Sequence, residues 1–202
     1  MRNLIRAGCV AVAITTSLAV GSACAALDIG AVPPDYLGKT PDRDEVHISQ
    51  FKGTVVVVTF WASWCGYCLK ELPVLERLQQ VAGQRVHVVA VDVKDSSDAY
   101  KFIRRQLKDP ALTFTHDFNG KISDEFGVHS YPNLYVIDQS GVIASVHIGY
   151  GDDSLGKIVA DINQLLIAGA ANATTTTAGA DSSKPAPAER GDVSHAAPAA
   201  SK

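Results

Sequence analysis

Residues 54–60 read Thr-Val-Val-Val-Val-Thr-Phe, a β-branched run with no charged or strongly polar side chain on either face. A strand with one wet face alternates apolar and polar residues, whereas a strand apolar on both faces must be covered on both. The run therefore predicts a central strand with helices packed above and below, and residues 86–91 predict a second. Between them, Leu69, Leu72, Leu75, Leu78 and Val81 recur at near-helical spacing, and Gly83 ends that helix. A second helix is expected over 96–108, packing through Phe102, Ile103 and Leu107. Residues 114–117 read as an extended piece and 122–126 as a short helix.

Two further strands, 134–137 and 142–148, flank Asp138-Gln-Ser-Gly141, a tetrapeptide suited to a hairpin turn. The last helix, 152–167, presents Leu155, Ile158, Val159, Ile162, Leu165 and Leu166. Ahead of all this, Pro33, Pro34, Gly38 and Pro41 mark an irregular lead-in, with 46–51 a short strand or turn. The element order predicts an α/β fold: one mixed sheet with helices on both faces, parallel in its first half and antiparallel in its second.

The two ends of the chain differ from this middle. Arg2 and Arg6 precede an uncharged, mostly apolar stretch, and Ala23-Cys24-Ala25 offers the small-x-small pattern of a cleavage site. Residues 1–25 thus read as a signal peptide that sends the chain to the periplasm; retention as an inner-membrane tether is the competing reading. From residue 168 the composition falls to Ala, Thr, Ser, Gly and Pro, so 169–202 is expected to be a disordered tail, leaving 26–168 as the folded domain. A net charge of -3 gives no ground for a nucleic-acid partner.

Of the four cysteines, cleavage removes Cys9 and Cys24 and leaves Cys65 and Cys68. A pair that close closes too short a loop to stabilise much through chain entropy, so chemistry is the better explanation. Trp64-Cys65-Gly66-Tyr67-Cys68 lies where a buried strand hands over to a helix. The first helical turn has unpaired N–H groups and the positive end of the dipole, which together favour a thiolate. Cys65 is accordingly the expected attacking sulfur, and Cys68, one turn further in, the resolving one. A zinc site is disfavoured because the mature chain has no third cysteine, and His129 beside a loop is an ordinary surface histidine by base rate. No metal and no cofactor is called for.

The segment Val58-Thr-Phe-Trp-Ala-Ser-Trp-Cys-Gly-Tyr-Cys68 resembles the active site of the thioredoxin superfamily. Glu71 and Pro73 in Cys-Leu-Lys-Glu-Leu-Pro make it most similar to the TlpA/ResA/DsbE-like branch of periplasmic thiol–disulfide oxidoreductases. Val32-Pro-Pro-Asp-Tyr, Ile48-Ser-Gln-Phe-Lys-Gly53, Gly127-Val-His-Ser-Tyr-Pro132 and Val136-Ile-Asp-Gln-Ser-Gly141 extend the likeness over about 32–167. The resemblance implies a thioredoxin fold and a redox-active Cys65–Cys68 disulfide. It also implies a cis Pro132 facing the cysteines and a Tyr131 backbone that pairs with an extended partner segment. Glu71 becomes an acid/base group for the buried cysteine, against the bland reading of a solvated helix glutamate. Trp64 and Tyr67, with Tyr131, form an apolar rim for substrate. Pro73 stands inside the helix, where it is expected to kink it.

Two departures stand out: Thr59 replaces the buried aspartate of the classical thioredoxins, and Tyr67 replaces the common proline between the cysteines. The resemblance implies periplasmic partners with thiols or disulfides, apocytochrome c among them, and a membrane thiol electron donor. A reductase is the leading reading. An oxidase or isomerase running the reaction in reverse, and a copper-handling or thiol-binding module, stay open beside it.

Overall fold

The computed structural model describes residues 26–107, 111–151 and 153–178. The valine run forms β3 (Val55–Trp61), buried at all seven positions. It pairs parallel with β4 (Val86–Val93), which pairs parallel with β5 (Thr113–Asp117). On its other side β3 runs antiparallel to β6 (Asn133–Ile137), and β6 to β7 (Ile143–Ile148). Two short strands, β1 (Tyr36–Lys39) and β2 (Glu45–His47), complete the sheet in the order β2-β1-β5-β4-β3-β6-β7.

The lead-in is thus not irregular as its composition suggested. It forms an antiparallel hairpin on the β5 edge, so the sheet is antiparallel at both ends and parallel only in its middle. Gly38, at φ 106, hides this from a composition reading: a Cβ there would lie 3.1 Å from the Cβ of Thr115, whose hydroxyl donates to the Leu37 carbonyl at 2.6 Å. Glycine marks a close backbone approach here, not a break. Beyond β2 the chain turns through a short 3-10 segment, Ile48–Phe51.

Side chains of β3 alternate between two cores. Val55, Val57 and Trp61 face helix α1 (Gly66–Ala82), Tyr100 of α2 (Ser97–Gln106), and Ile158 and Ile162 of α4 (Ser154–Ala178). Val56, Val58 and Phe60 face Ile122 of α3 (Lys121–Glu125), Phe126, and the hairpin residues Leu37 and Val46. Both faces are covered, as a two-sided apolar strand requires.

The helices depart from expectation in instructive ways. Leu72 and Leu75 of α1 are buried, but Val81 is 78% exposed and Leu69 37%. Strict three-residue steps fall short of a full turn, so the stripe drifts off the buried face, which continues through Ala82. In α2 the inward aromatic is Tyr100, and Phe102 points outward, 59% exposed; Ile103 and Leu107 pack against the core as expected. Helix α4 continues past residue 167 to Ala178, into the segment expected to be disordered, because alanine sustains a helix already nucleated by buried residues. The rest of that tail and the N-terminal leader lie outside the described residues. Among the described residues no helix is long and apolar enough to cross a membrane.

Leu75 is fully buried between α1 and the sheet. Leu75→Ala should lower unfolding free energy by about 2–5 kcal/mol through lost transfer energy and the residual cavity. Val81→Ala on the same helix should change it by about 0.5 kcal/mol or less. Denaturant titration of the two variants checks the assignment of faces.

Candidate active site

The site is built at the C-terminal end of β3. The chain leaves the sheet at Trp61, the Cys65 N–H donates to the Ala62 carbonyl at 3.0 Å, and α1 begins at once. Cys65 is the N-cap of α1, and its sulfur accepts from the Cys68 N–H at 3.2 Å. That amide is one of the unpaired donors of the first helical turn, aimed at sulfur. Cys65 and Cys68 form a disulfide, with Cα atoms 5.2 Å apart. Cys68 is completely buried and Cys65 is buried but for 7% of its surface, so the little access the pair has is at Cys65.

Glu71, one turn beyond Cys68, is not a solvated helix glutamate. It is 2% exposed, and its Oε2 accepts from the Thr59 hydroxyl at 2.9 Å. Burial pushes its carboxyl up to about 7, the Thr59 hydrogen bond pulling weakly the other way. Thr59 on β3 and Glu71 on α1 thus place between strand and helix a carboxyl that the strand itself lacks. Pro73 lies inside α1, two residues on; it has no N–H to offer the Leu69 carbonyl.

The Tyr131–Pro132 peptide bond is cis and Pro132 is buried, with its carbonyl accepting from the Gly149 N–H at 2.8 Å. The Trp64 and Tyr131 rings meet edge to face, centroids 5.6 Å apart, and Trp64 is 70% exposed. Trp64 is therefore a surface side chain against Tyr131 and is not packed in the core. Tyr67 is also exposed, with the Lys70 Nζ 5.5 Å from its ring centroid. Together with half-exposed Leu69 these side chains give the surface around Cys65 an apolar character. His129 is exposed.

A second polar cluster, which the sequence reading missed, supports the loop from behind. Asp95 accepts from the Ser63 N–H, two residues before Cys65. Its carbonyl lies 3.0 Å from the His116 Nε2, which is also 3.3 Å from the Asp92 carboxyl. Asp92 is fully buried, and burial, then the neighbouring Asp95 and Asp117 carboxylates, push its carboxyl up to about 9. The signal was present: Asp92 is the lone acid in a strand whose other residues are apolar but for His87, and a buried acid is seldom incidental.

The chain is similar to known proteins. The Redoxin family profile matches residues 30–166. The chain is 34% identical over 121 residues to the thioredoxin-like protein YneN of Bacillus subtilis, covering 59% of this chain and 71% of the relative. It is 33% identical over 101 residues to the thiol:disulfide interchange protein DsbE of Vibrio cholerae, covering 50% of this chain and 53% of that protein. Among solved structures, a putative DsbE from Chlorobium tepidum superposes with a TM-score of 0.64 at 29% identity, over 70% of this chain and 99% of the other. The fold is thioredoxin-like.

Proposed function

Because the chain belongs to the Redoxin family and is a thiol–disulfide oxidoreductase of the DsbE/ResA type, we propose that it works as a reductase of disulfides in exported proteins, with Cys65 attacking and Cys68 resolving. The observation that carries the reading is the Cys65–Cys68 disulfide set at the start of α1, with Cys68 fully enclosed and Cys65 retaining the 7% exposure the pair has.

In the reduced protein the Cys65 thiolate would be held by the α1 amides and attack one sulfur of a client disulfide. A bond forms between the Cys65 Sγ and that sulfur, the client S–S bond breaks, and the released client sulfur takes a proton. Glu71 then accepts the Cys68 thiol proton. The new Cys68 thiolate attacks the Cys65 Sγ, the mixed disulfide bond breaks, and the second client sulfur leaves as a thiolate that takes back the proton held by Glu71, leaving the protein disulfide seen in the structure. Two electrons have passed from protein to client, and a membrane dithiol donor would restore them. Trp64, Tyr67 and Tyr131 offer the rim against which an extended client segment lies, its backbone pairing with that of Tyr131 ahead of the cis proline.

Export to the periplasm rests on the leader pattern of residues 1–25, and apocytochrome c as a client on the likeness to the DsbE and ResA proteins. The direction of electron flow is tested by the potential of the pair against glutathione. A reductase is expected to equilibrate below about -230 mV; a value near about -150 mV or above would replace this reading by an oxidase or isomerase.

A further inference from the structure

A cleft of about 510 Å³ opens between α2 and the turn joining β1 to β2. Its walls carry Lys39 and Arg43 from the hairpin, and Lys101, Arg104, Arg105 and Tyr100 from α2, with His116 at its floor. No described residue lining it is acidic, in a chain whose net charge is -3. Lys39 is paired with Glu45 at 3.2 Å, but among the described residues no carboxylate forms an ion pair with Arg43, Lys101, Arg104 or Arg105. Asp42 and Asp44 of the same turn line the neighbouring hollow with Arg104 and leave this one cationic.

A second observation is independent of the charge. Tyr100 is 5% exposed, and among the described residues neither its hydroxyl nor the buried Nε of Arg104 has a hydrogen-bond partner. Buried donors are almost always satisfied, so two orphans on the wall of one cleft indicate a missing acceptor. Basic residues in the last turn of a helix are ordinarily explained by its dipole. That accounts for Arg104 and Arg105, but not for Arg43, which comes from another element and holds a left-handed φ of 74 in a turn closed by its N–H to the Thr40 carbonyl at 2.9 Å.

We propose that this cleft is an oxyanion site for a phosphate group carrying two or more negative charges, whether free or on a lipid headgroup. Four cations with no ion pair among the described residues exceed what a single carboxylate needs. Guanidinium forks match a tetrahedral oxyanion in bidentate fashion, and the Tyr100 hydroxyl supplies a neutral donor from below.

The test is calorimetric titration of the full chain with pyrophosphate at constant ionic strength. One saturable site with a dissociation constant of about 1 mM or lower is expected. Arg104→Gln with Arg105→Gln should weaken it about tenfold or more, and Tyr100→Phe about threefold. Arg43→Gln, outside the helix, should also weaken it and serves as a second probe if the double variant is unstable. None should change the rate of disulfide exchange, which reports an intact fold and keeps this test separate from that of the redox reading. Sedimentation with phosphatidylglycerol vesicles but not phosphatidylcholine, lost in the arginine variants, would assign the phosphate to a lipid. Pyrophosphate binding without vesicle binding would assign it to a soluble compound. The proposal is overturned if neither probe binds, if the variants bind as the native chain does, or if a glutamate-rich peptide binds in place of both.

Discussion

Cys65→Ser is expected to abolish turnover, by on the order of 10⁴-fold or more, because serine offers neither an accessible anion nor a reducible sulfur. Cys68→Ser should behave differently. The Cys65 sulfur, still capped by the residue-68 amide and the more accessible of the pair, can attack a client disulfide, but nothing remains to resolve the adduct. A stable mixed disulfide should accumulate, visible by mass under non-reducing conditions and linked through Cys65. Both variants should retain the fold, since the three-residue separation closes too short a loop to contribute much through chain entropy. An adduct forming on Cys68 in the Cys65→Ser protein, with none on Cys65 in the converse, would reverse the assigned order. The expected asymmetry rests on geometry that a C-x-x-C spacing alone does not supply: Cys65 is the N-cap of α1 and keeps 7% exposure, whereas Cys68, one turn on, keeps none.

How far the sequence could be read varied with the kind of signal each element carries. The run 54–60 declared β3 because an unbroken apolar strand has one common solution, burial on both faces, and β3 is buried throughout. The β1–β2 hairpin gave no such signal: its strands span four and three residues, and its glycine serves a close contact with Thr115 that only the folded chain reveals. Helical periodicity located α1 and α2 but blurred their faces, since three-residue steps admit neighbouring stripes. The Cys65–Cys68 disulfide and the cis Tyr131–Pro132 bond were foreseeable from the motifs, because each is a local feature of the strand-to-helix junction or of a single peptide bond. The partners of Glu71 and Asp92 are non-local. Thr59 lies 12 residues from Glu71, and His116 reaches Asp92 from another strand. Pairings of that kind depend on register across the sheet, which a single sequence does not display.

Replacing Glu71 by glutamine separates its two expected effects. In the unfolded chain its carboxyl titrates near 4.5, and in the folded protein near 7. Between those values the folded state holds more protons, so stability is highest below about pH 4.5 and falls as pH rises toward 7. A shift of this size corresponds to about 3 kcal/mol across the window. Glu71→Gln keeps an acceptor for the Thr59 hydroxyl but cannot ionise, so this part of the pH dependence should flatten and the variant should be the more stable protein at pH 8. Catalysis should move the other way. If Glu71 takes the Cys68 proton, resolution of the mixed disulfide should slow by about 10²–10⁴-fold and lose the rise it shows near pH 7 in the native protein, while the first attack by Cys65 stays close to native. Stopped-flow measurement of the two steps against pH tests this directly. A variant that gained stability at pH 8 yet resolved at the native rate would make Glu71 a merely buried acid, and the proton from Cys68 would then need another acceptor. A group that destabilises the fold at working pH is retained most readily where it acts on the chemistry, and Glu71 lies one turn from the sulfur that must lose a proton.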